Sequence, residues 1–141
     1  MIDSSLENGN NVSAKSSIRV VLSANTAWYL YNFRSGLIKA MIYKGWWVAV
    51  IAPEDRYFHN LREIGCVTYD ISMDNKGSNL INDSRTVYSY WNLLRYLKPN
   101  IALWFTVKPV VYGTFISKLL GIVSVTTITG LGTVFIRHTN V

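Results

Sequence analysis

The fold is decided by the stretch Arg19-Val-Val-Leu-Ser-Ala-Asn-Thr-Ala-Trp-Tyr-Leu-Tyr-Asn-Phe-Arg34. It opens with an apolar run of about five residues, rich in Val and Leu, which predicts a strand covered on both faces. Apolar residues at helical spacing follow and predict a helix packed back on the sheet: Leu30, Phe33, Leu37, Ile38 and Met41. The turn between the two elements should then lie at the carboxyl edge of a parallel sheet, where open α/β folds bind their ligands.

The same alternation of strand and helix continues along the chain. Strands are predicted at residues 18–23, 47–52, 66–71, 101–105 and 122–128, and helices at residues 30–44, 56–64, 83–97 and 110–120. Gly45, Pro99 and Gly121 stand just past three of these helices, and Asn82 or Asp83 can cap the third helix. The sequence therefore predicts an α/β fold, a Rossmann-like, doubly wound parallel sheet of about five strands with helices on both faces.

Length and composition indicate one folded domain. The chain has 141 residues, of which half are hydrophobic and 16% are charged, so it can bury a core of its own. Residues 18–141 are expected to form this domain, and the Ser- and Asn-rich residues 1–17 a disordered lead-in. The single cysteine, Cys66, begins a predicted strand and is expected to be a buried, inert thiol of a protein from a reducing compartment.

The whole excess of positive over negative charge lies in the second part of the chain. Residues 85–141 hold six basic side chains and no acidic one, whereas residues 1–84 hold eight of each. A surface of one sign attracts anionic partners such as phospholipid headgroups, diphosphates or nucleic acid. A solvated basic face without a ligand explains the same charges.

One uncharged run raises the question of a membrane span. Residues 119–136 are eighteen uncharged residues, close to the minimum length for crossing a bilayer. They include three glycines and four threonines, and their β-branched core, residues 122–128, is short and bounded by Gly121 and Gly130. This composition favours a buried strand over a span.

The sequence lacks the residues that several functional classes of protein require. A dinucleotide-binding turn needs glycines directly after the first strand, and the turn at residues 23–28 has none. A phosphorylated receiver domain needs clustered acids, but Asp70 has no such neighbours. His59, His138 and Cys66 lack the spacing of a metal site, and no Gly-x-Ser-x-Gly turn of a hydrolase is present.

Polar groups remain at the ends of predicted strands one, four and five. After strand four, Lys108 stands just ahead of a helix expected to begin near Pro109, so its charge adds to the helix dipole and favours a nearby anion. The loop at residues 72–79 leaves strand three at the same edge, although turn chemistry alone explains its composition. After strand five, two glycines within residues 129–132 would let a ligand or a second domain approach the backbone.

Four blocks of sequence, in this order, resemble a known family: Ser-Ala-Asn-Thr-Ala-Trp-Tyr-Leu-Tyr-Asn-Phe-Arg-Ser-Gly-Leu-Ile-Lys-Ala at residues 23–40, Val-Ala-Val-Ile-Ala-Pro-Glu-Asp at residues 48–55, Phe-Thr-Val-Lys-Pro-Val-Val-Tyr-Gly at residues 105–113, and Thr-Ile-Thr-Gly-Leu-Gly-Thr-Val-Phe at residues 127–135. Together they resemble the N-terminal half of a bacterial family 4 glycosyltransferase, of the type found with capsular, O-antigen and other surface-polysaccharide genes. The resemblance covers almost the whole chain from Ile18 onward. It implies one half of a GT-B fold, in which two Rossmann-like domains face each other across a cleft.

The resemblance also implies roles for residues. The N-terminal domain of the family binds the acceptor, often a sugar on undecaprenyl diphosphate, and the C-terminal domain holds the nucleotide-sugar donor. Transfer retains the anomeric configuration and needs no metal or other cofactor. Carried over, the residues on the acceptor side of the cleft are Asn25, Trp28, Tyr29, Asn32, Arg34, Thr106, Lys108 and Tyr112, and those facing the donor or the second domain are Thr129, Gly130 and Gly132. No residue is assigned to catalysis, and packing in the core or at the helix start explains Trp28, Tyr29 and Tyr31 equally well.

The sequence ends at Val141, where the family continues into the rest of the first domain and the whole second domain. We therefore expect a truncated acceptor-side domain that alone binds a donor poorly and transfers little or no sugar. The expected partners are a glycan or lipid-linked sugar acceptor, the anionic inner face of the cytoplasmic membrane, where the protein would be peripheral, and a separate donor domain; nucleic acid is not expected. Two alternatives stay open: a non-catalytic membrane-surface module and an inactive remnant.

Overall fold

Strands and helices alternate through residues 17–75, 77 and 79–128, the part of the chain that a computed structural model describes. In order, these elements are β1 (Arg19–Ser23), α1 (Ala27–Tyr43), β2 (Trp47–Ala52), α2 (Tyr57–Ile64), β3 (Val67–Asp70), α3 (Leu80–Leu97), β4 (Ile101–Phe105), α4 (Val107–Leu120) and β5 (Val123–Thr127). The predicted order of elements is confirmed. The disordered lead-in predicted for the N-terminus lies, apart from its last residue, outside the described residues.

The five strands form one parallel sheet in the order β3-β2-β1-β4-β5. Val21 of β1 pairs with Ala49 of β2 on one side and with Ala102 of β4 on the other. The chain runs outward from β1 to β3 and then returns to place β4 on the other side of β1. In open α/β sheets such a reversal opens a crevice at the carboxyl ends of the two central strands, here β1 and β4.

Helices cover both faces of the sheet, as the sequence predicted. On one face, Val20 and Leu22 of β1 pack in a core with Leu30 and Ile38 of α1. Cys66 is buried in the same core, and burial raises the pKa of its thiol to about 12, so the predicted inert thiol is confirmed as buried. The α/β fold class is therefore correct.

On the other face, Val21 of β1 and Trp104 of β4 share a core with Tyr90 and Leu94 of α3, and α4 packs on the same face. Trp104 meets Tyr90 edge-on, with ring centroids 5.2 Å apart, and its indole N–H donates to Ser117 Oγ at 3.2 Å. Gly113 of α4 lies directly on the Trp104 ring. A Cβ at this position would stand 2.2 Å from a ring carbon, so this glycine allows α4 to approach β4 closely.

Three helices begin three residues earlier than predicted, at Ala27, Leu80 and Val107. Polar caps explain the first two starts: Thr26 Oγ1 accepts the Tyr29 N–H at 3.1 Å, and Asn79 Oδ1 accepts the Ile81 N–H at 3.1 Å. The apolar period from which the helices were predicted starts only after the first turn, and caps act before it. The prediction that Asn82 or Asp83 caps α3 was therefore wrong.

The earlier start of α4 also changes the position of Lys108. Lys108 is the second residue of the helix and Pro109 the third, so Lys108 does not precede the helix as predicted. Pro109 costs no hydrogen bond there because the first four N–H groups of a helix have no partner within it.

The prediction of a buried fifth strand was right about the strand and wrong about its burial. Val123 and Val125 of β5 are about half exposed or more within the described residues. The reason is position: among the described strands, β5 pairs only with β4, and α4 packs against it.

Candidate functional site

The candidate site lies where β1 and β4 end side by side at the carboxyl edge of the sheet. Asn25 follows β1 and Thr106 follows β4, and the backbone N–H of Asn25 donates to Thr106 Oγ1 at 3.0 Å. A third loop joins them, because Asn75 Nδ2 donates to the backbone carbonyl of Asn25 at 3.1 Å. Residues far apart in the sequence are thereby held together at the point where the strand order reverses.

Thr106 has an unusual backbone conformation. Its φ of 66° and ψ of 161° lie in a region that a β-branched residue rarely adopts. Such a conformation costs about 1–3 kcal/mol and persists only where surrounding contacts hold it. Here the side chain is tied to Asn25, while the backbone carbonyl accepts the Val110 N–H at 3.0 Å to start α4. Strain of this kind is common at functional sites.

These loops surround a pocket of about 300 Å³, named here the edge pocket. Its lining residues are Asn25, Asn75, Gly77, Thr106, Val107 and Lys108. The volume is at the lower end of the range for small-molecule sites. Asparagine amides and a threonine hydroxyl both donate and accept hydrogen bonds, as sugar hydroxyls do.

Lys108 links the edge pocket to a second helix. Its Nζ lies 2.8 Å from Oδ1 of Asp83 on α3, and the two side chains are only 19% and 10% exposed. The Lys108 hydrogen bond holds the pKa of Asp83 below its ordinary value. In return, Asp83 holds the pKa of Lys108 above its ordinary value, with Asp74 contributing at longer range. The sequence predicted an anion near Lys108, and the Asp83 carboxylate of the same chain supplies at least part of that negative charge.

Tyr112 completes this polar group. Burial, and then a hydrogen bond with Asp83, raises the pKa of the Tyr112 hydroxyl. Asp83 was not among the predicted site residues. The sequence did carry a signal, because Asp83 is the last acidic residue of the chain and six basic residues follow it. An acid in that position is the natural partner for one of those cations.

The remaining predicted acceptor residues lie on α1, outside the lining of the edge pocket. Arg34 donates from Nη2 to the Tyr29 hydroxyl at 3.1 Å, and its guanidinium carbon lies 4.7 Å from the centroid of the Phe105 ring. Trp28 is 45% exposed, and Asn32 is exposed with its Nδ2 donating to the Trp28 carbonyl at 2.9 Å. These four residues form a separate group beside the end of β4.

The N-terminus of α1 is already occupied by protein groups. Asp55 Oδ2 accepts the Trp28 N–H at 3.0 Å, and Thr26 Oγ1 accepts the Tyr29 N–H. The other oxygen of Asp55 accepts the Tyr57 N–H at 2.8 Å, so one carboxylate joins the starts of α1 and α2. This helix end therefore has no open position for a pyrophosphate at these amides, in keeping with its lack of glycine.

Other predictions can be compared only with the described residues. Thr129, Gly130 and Gly132, predicted to face the donor or the second domain, lie outside them. Within residues 17–75, 77 and 79–128, no three His, Cys, Asp or Glu side chains are grouped as a metal site would require. None of the helices in this part of the chain combines the length and the apolar character that crossing a bilayer demands.

Comparison with known proteins supports the fold. No protein-family model matches the sequence, and no curated protein matches it. Among solved structures, similar ones include a glycosyltransferase from Rickettsia africae (TM-score 0.66, 12% identity, 89% of this chain and 34% of that chain), MurG from Acinetobacter baumannii (0.60, 18%, 79% and 34%) and a UDP-N-acetylglucosamine 2-epimerase (0.60, 15%, 79% and 33%).

These similarities concern the fold. The sheet and its helices match one Rossmann-like half of GT-B glycosyltransferases, so the predicted architecture is confirmed. The chain spans about a third of the length of the three proteins named above. At these identities a shared fold does not establish a shared reaction, and an epimerase has the same fold. The assignment to family 4 and to surface-polysaccharide synthesis stays a prediction.

Proposed function

We propose that this chain is the acceptor-binding half of a retaining glycosyltransferase, which moves a sugar from a nucleotide-sugar donor to a lipid-linked glycan during synthesis of a bacterial surface polysaccharide. One observation carries the proposal. A small pocket lined by asparagine, threonine and lysine side chains opens at the reversal point of a sheet that matches half of a GT-B fold.

The edge pocket suits an acceptor better than it suits a nucleotide. Asn25, Asn75 and Thr106 offer groups that both donate and accept, which is what sugar hydroxyls need. Lys108 adds a cation on the rim, where a diphosphate between sugar and lipid could compete with Asp83 for it. The residues on α1, with exposed Trp28 and Asn32, would contact a longer acceptor next to the pocket.

The donor belongs mainly to a second domain in this proposal. The three solved structures named above are about three times as long as the part this chain matches, which leaves room for such a domain in proteins of this kind. The nucleotide-sugar is then a co-substrate, and no metal or other cofactor takes part. The site of action would be the cytoplasmic face of the inner membrane, where a lipid-linked acceptor is available.

The proposal is tested by the affinity of the purified chain for a soluble short-chain polyprenyl diphosphate sugar. Asn25→Ala removes the amide and leaves the backbone bond to Thr106 in place, so we expect about a tenfold loss of affinity from one or two hydrogen bonds. Asn92→Ala, at an exposed position of α3, is the matched control and should bind normally. Equal affinities for the two variants, or robust sugar transfer by the chain alone, would contradict the proposal.

A further inference from the structure

Arg34 is a partly buried cation without an acidic partner among the described residues. Its Nη2 donates to the Tyr29 hydroxyl at 3.1 Å, and its Nη1 has only a long contact of 3.5 Å with the carbonyl of Phe33. The ion pairs found in the described part of the chain do not include it. Its Nε is buried and makes no hydrogen bond there. A charge taken partly out of water in this way is costly, which points to a partner that binds it.

Aromatic rings hold the guanidinium in place. Its central carbon lies 4.7 Å from the centroid of the Phe105 ring and 5.7 Å from that of the Tyr29 ring. The Phe33 ring continues the row, with its centroid 5.2 Å from Tyr29 and 5.5 Å from Trp28. These four aromatic residues and Arg34 define the Arg34 shelf. Stacking on rings orients a guanidinium but leaves its charge without a counter-ion.

The Arg34 shelf adjoins the edge pocket. Phe105, on which the guanidinium stacks, directly precedes Thr106, which lines the pocket. At the other end of the shelf, the side chains of Trp28 and Phe33 are about half exposed. A ligand that enters the pocket can therefore extend onto the shelf.

The two cations at this edge of the sheet differ in their surroundings. Lys108 Nζ already has the Asp83 carboxylate at 2.8 Å, and in the proposed function a diphosphate competes for it. Arg34 has no such acid, so its charge requires a second anionic group on the ligand. A guanidinium presents parallel N–H donors in one plane, which match the two oxygens of a carboxylate.

We infer that the acceptor is an acidic sugar, whose carboxylate binds Arg34. The inference rests on the proposed function, because it names the class of acceptor that the site takes. The sugar hydroxyls bind in the edge pocket at Asn25 and Thr106, and the carboxylate binds the guanidinium that Tyr29 and Phe105 orient. A neutral sugar leaves the guanidinium unpaired, so the site discriminates against it.

Two methyl glycosides test the inference on the full 141-residue chain. Methyl glucuronide carries a carboxylate where methyl glucoside has a hydroxymethyl group. Their affinities are measured by NMR titration of the tryptophan indole N–H signals. We expect the glucuronide to bind about tenfold more tightly, because charge-assisted hydrogen bonds are added, and this preference to shrink as salt is raised. Equal affinities would overturn the inference.

Matched variants locate the carboxylate. Arg34→Gln should abolish most of the preference, and Arg34→Lys should keep part of it, because an ammonium has the charge but not the planar donors. The control is Arg56→Gln: Arg56 donates to the Tyr57 hydroxyl at 3.0 Å and stacks 5.0 Å from its ring, but it is exposed beside α2. Circular dichroism melts verify folding, and Arg34→Lys replaces Arg34→Gln if the latter does not fold. An unchanged preference in the Arg34 variant, or an equal loss in the control, would refute the assignment.

A short-chain polyprenyl diphosphate without a sugar separates a carboxylate at Arg34 from a diphosphate. Arg34→Gln should leave its affinity unchanged, and Lys108→Gln should lower it. If Arg34→Gln weakens this ligand as much as the glucuronide, Arg34 binds the diphosphate and the inference is wrong. Sugar binding that depends on Asn25 without preference for the carboxylate would overturn the inference alone, whereas no binding by any sugar ligand would overturn the proposed function as well.

Discussion

Lys108 Nζ and Asp83 Oδ1 lie 2.8 Å apart and join the first turn of α4 to α3. The pair stands between two different spaces, because Lys108 lines the edge pocket and Asp83 lines a groove of about 480 Å³ between α3 and α4. In the proposed function Lys108 is the cation on the rim of the sugar-binding pocket, and Asp83 holds its ammonium group in place. The charge state of the pair should therefore matter for both stability and binding.

The pair predicts how stability depends on pH. Because Lys108 lowers the pKa of Asp83 in the folded state, the stabilising contribution of the carboxylate is complete above the ordinary pKa of aspartate and is lost as the pH falls through the lowered folded value. We expect Asp83→Asn to reduce the free energy of unfolding at neutral pH and to weaken its decline in acid. Urea unfolding from pH 7 down to strong acid measures both effects.

The control for this experiment is Glu63→Gln, since Glu63 is an exposed acid that pairs with His59 on the surface of α2. Its removal should leave the acid decline of the parent protein nearly unchanged. The account of the Lys108–Asp83 pair fails if Asp83→Asn declines in acid as steeply as the parent.

Replacing a helical glycine with alanine should have opposite effects on the free energy of unfolding at Gly113 and at Gly36. Gly113→Ala places a Cβ against the Trp104 ring and should lower the free energy of unfolding by about 1–3 kcal/mol through overpacking. Gly36→Ala on α1 meets no atom within 4 Å and should raise it by about 0.5–1 kcal/mol, because alanine favours the helix. Chemical denaturation of both variants gives the comparison, and a change of the same sign in both would contradict the packing described for α4.

The strain at Thr106 is measurable with a matched pair of variants. Thr106→Ala and Thr106→Gly both remove the hydroxyl that accepts the Asn25 N–H, so their difference reports the backbone conformation together with the greater freedom of glycine in the unfolded chain. Glycine adopts a positive φ freely, and the glycine variant should therefore be more stable by about 1 kcal/mol or more. A glycine variant that is less stable than the alanine variant in urea unfolding would mean that the conformation of Thr106 stores no strain, because glycine loses more backbone freedom on folding.

The sequence predicts the strands well because each strand is marked locally. Runs such as residues 20–22 are so apolar that they predict a strand buried on both faces. The alternation of such strands with helices predicts a parallel sheet. The helix starts were missed where a cap decides them. Thr26 and Asn79 act through one backbone bond each, which leaves no trace in the apolar period.

The site is predictable only in part because its contacts cross the sequence. The position of Lys108 in the sequence predicts a cation with an anion nearby, but its partner Asp83 lies 25 residues away on another helix. The same holds for Arg34, whose stacking on Phe105 depends on how α1 crosses β4. The predicted ends of the strands indicate which loops meet at the edge of the sheet. Which side chains are in contact depends on packing, which the sequence pattern does not show.

The most direct test of the central claim is to map ligand contacts by NMR on the isotopically labelled chain. Adding a soluble short-chain polyprenyl diphosphate sugar should shift the backbone amides of Asn25, Asn75, Thr106 and Lys108, which surround the edge pocket. Adding a nucleotide-sugar alone should leave these amides nearly unchanged. The account is contradicted if the acceptor analogue shifts none of them, or if the nucleotide-sugar shifts the same amides to the same extent.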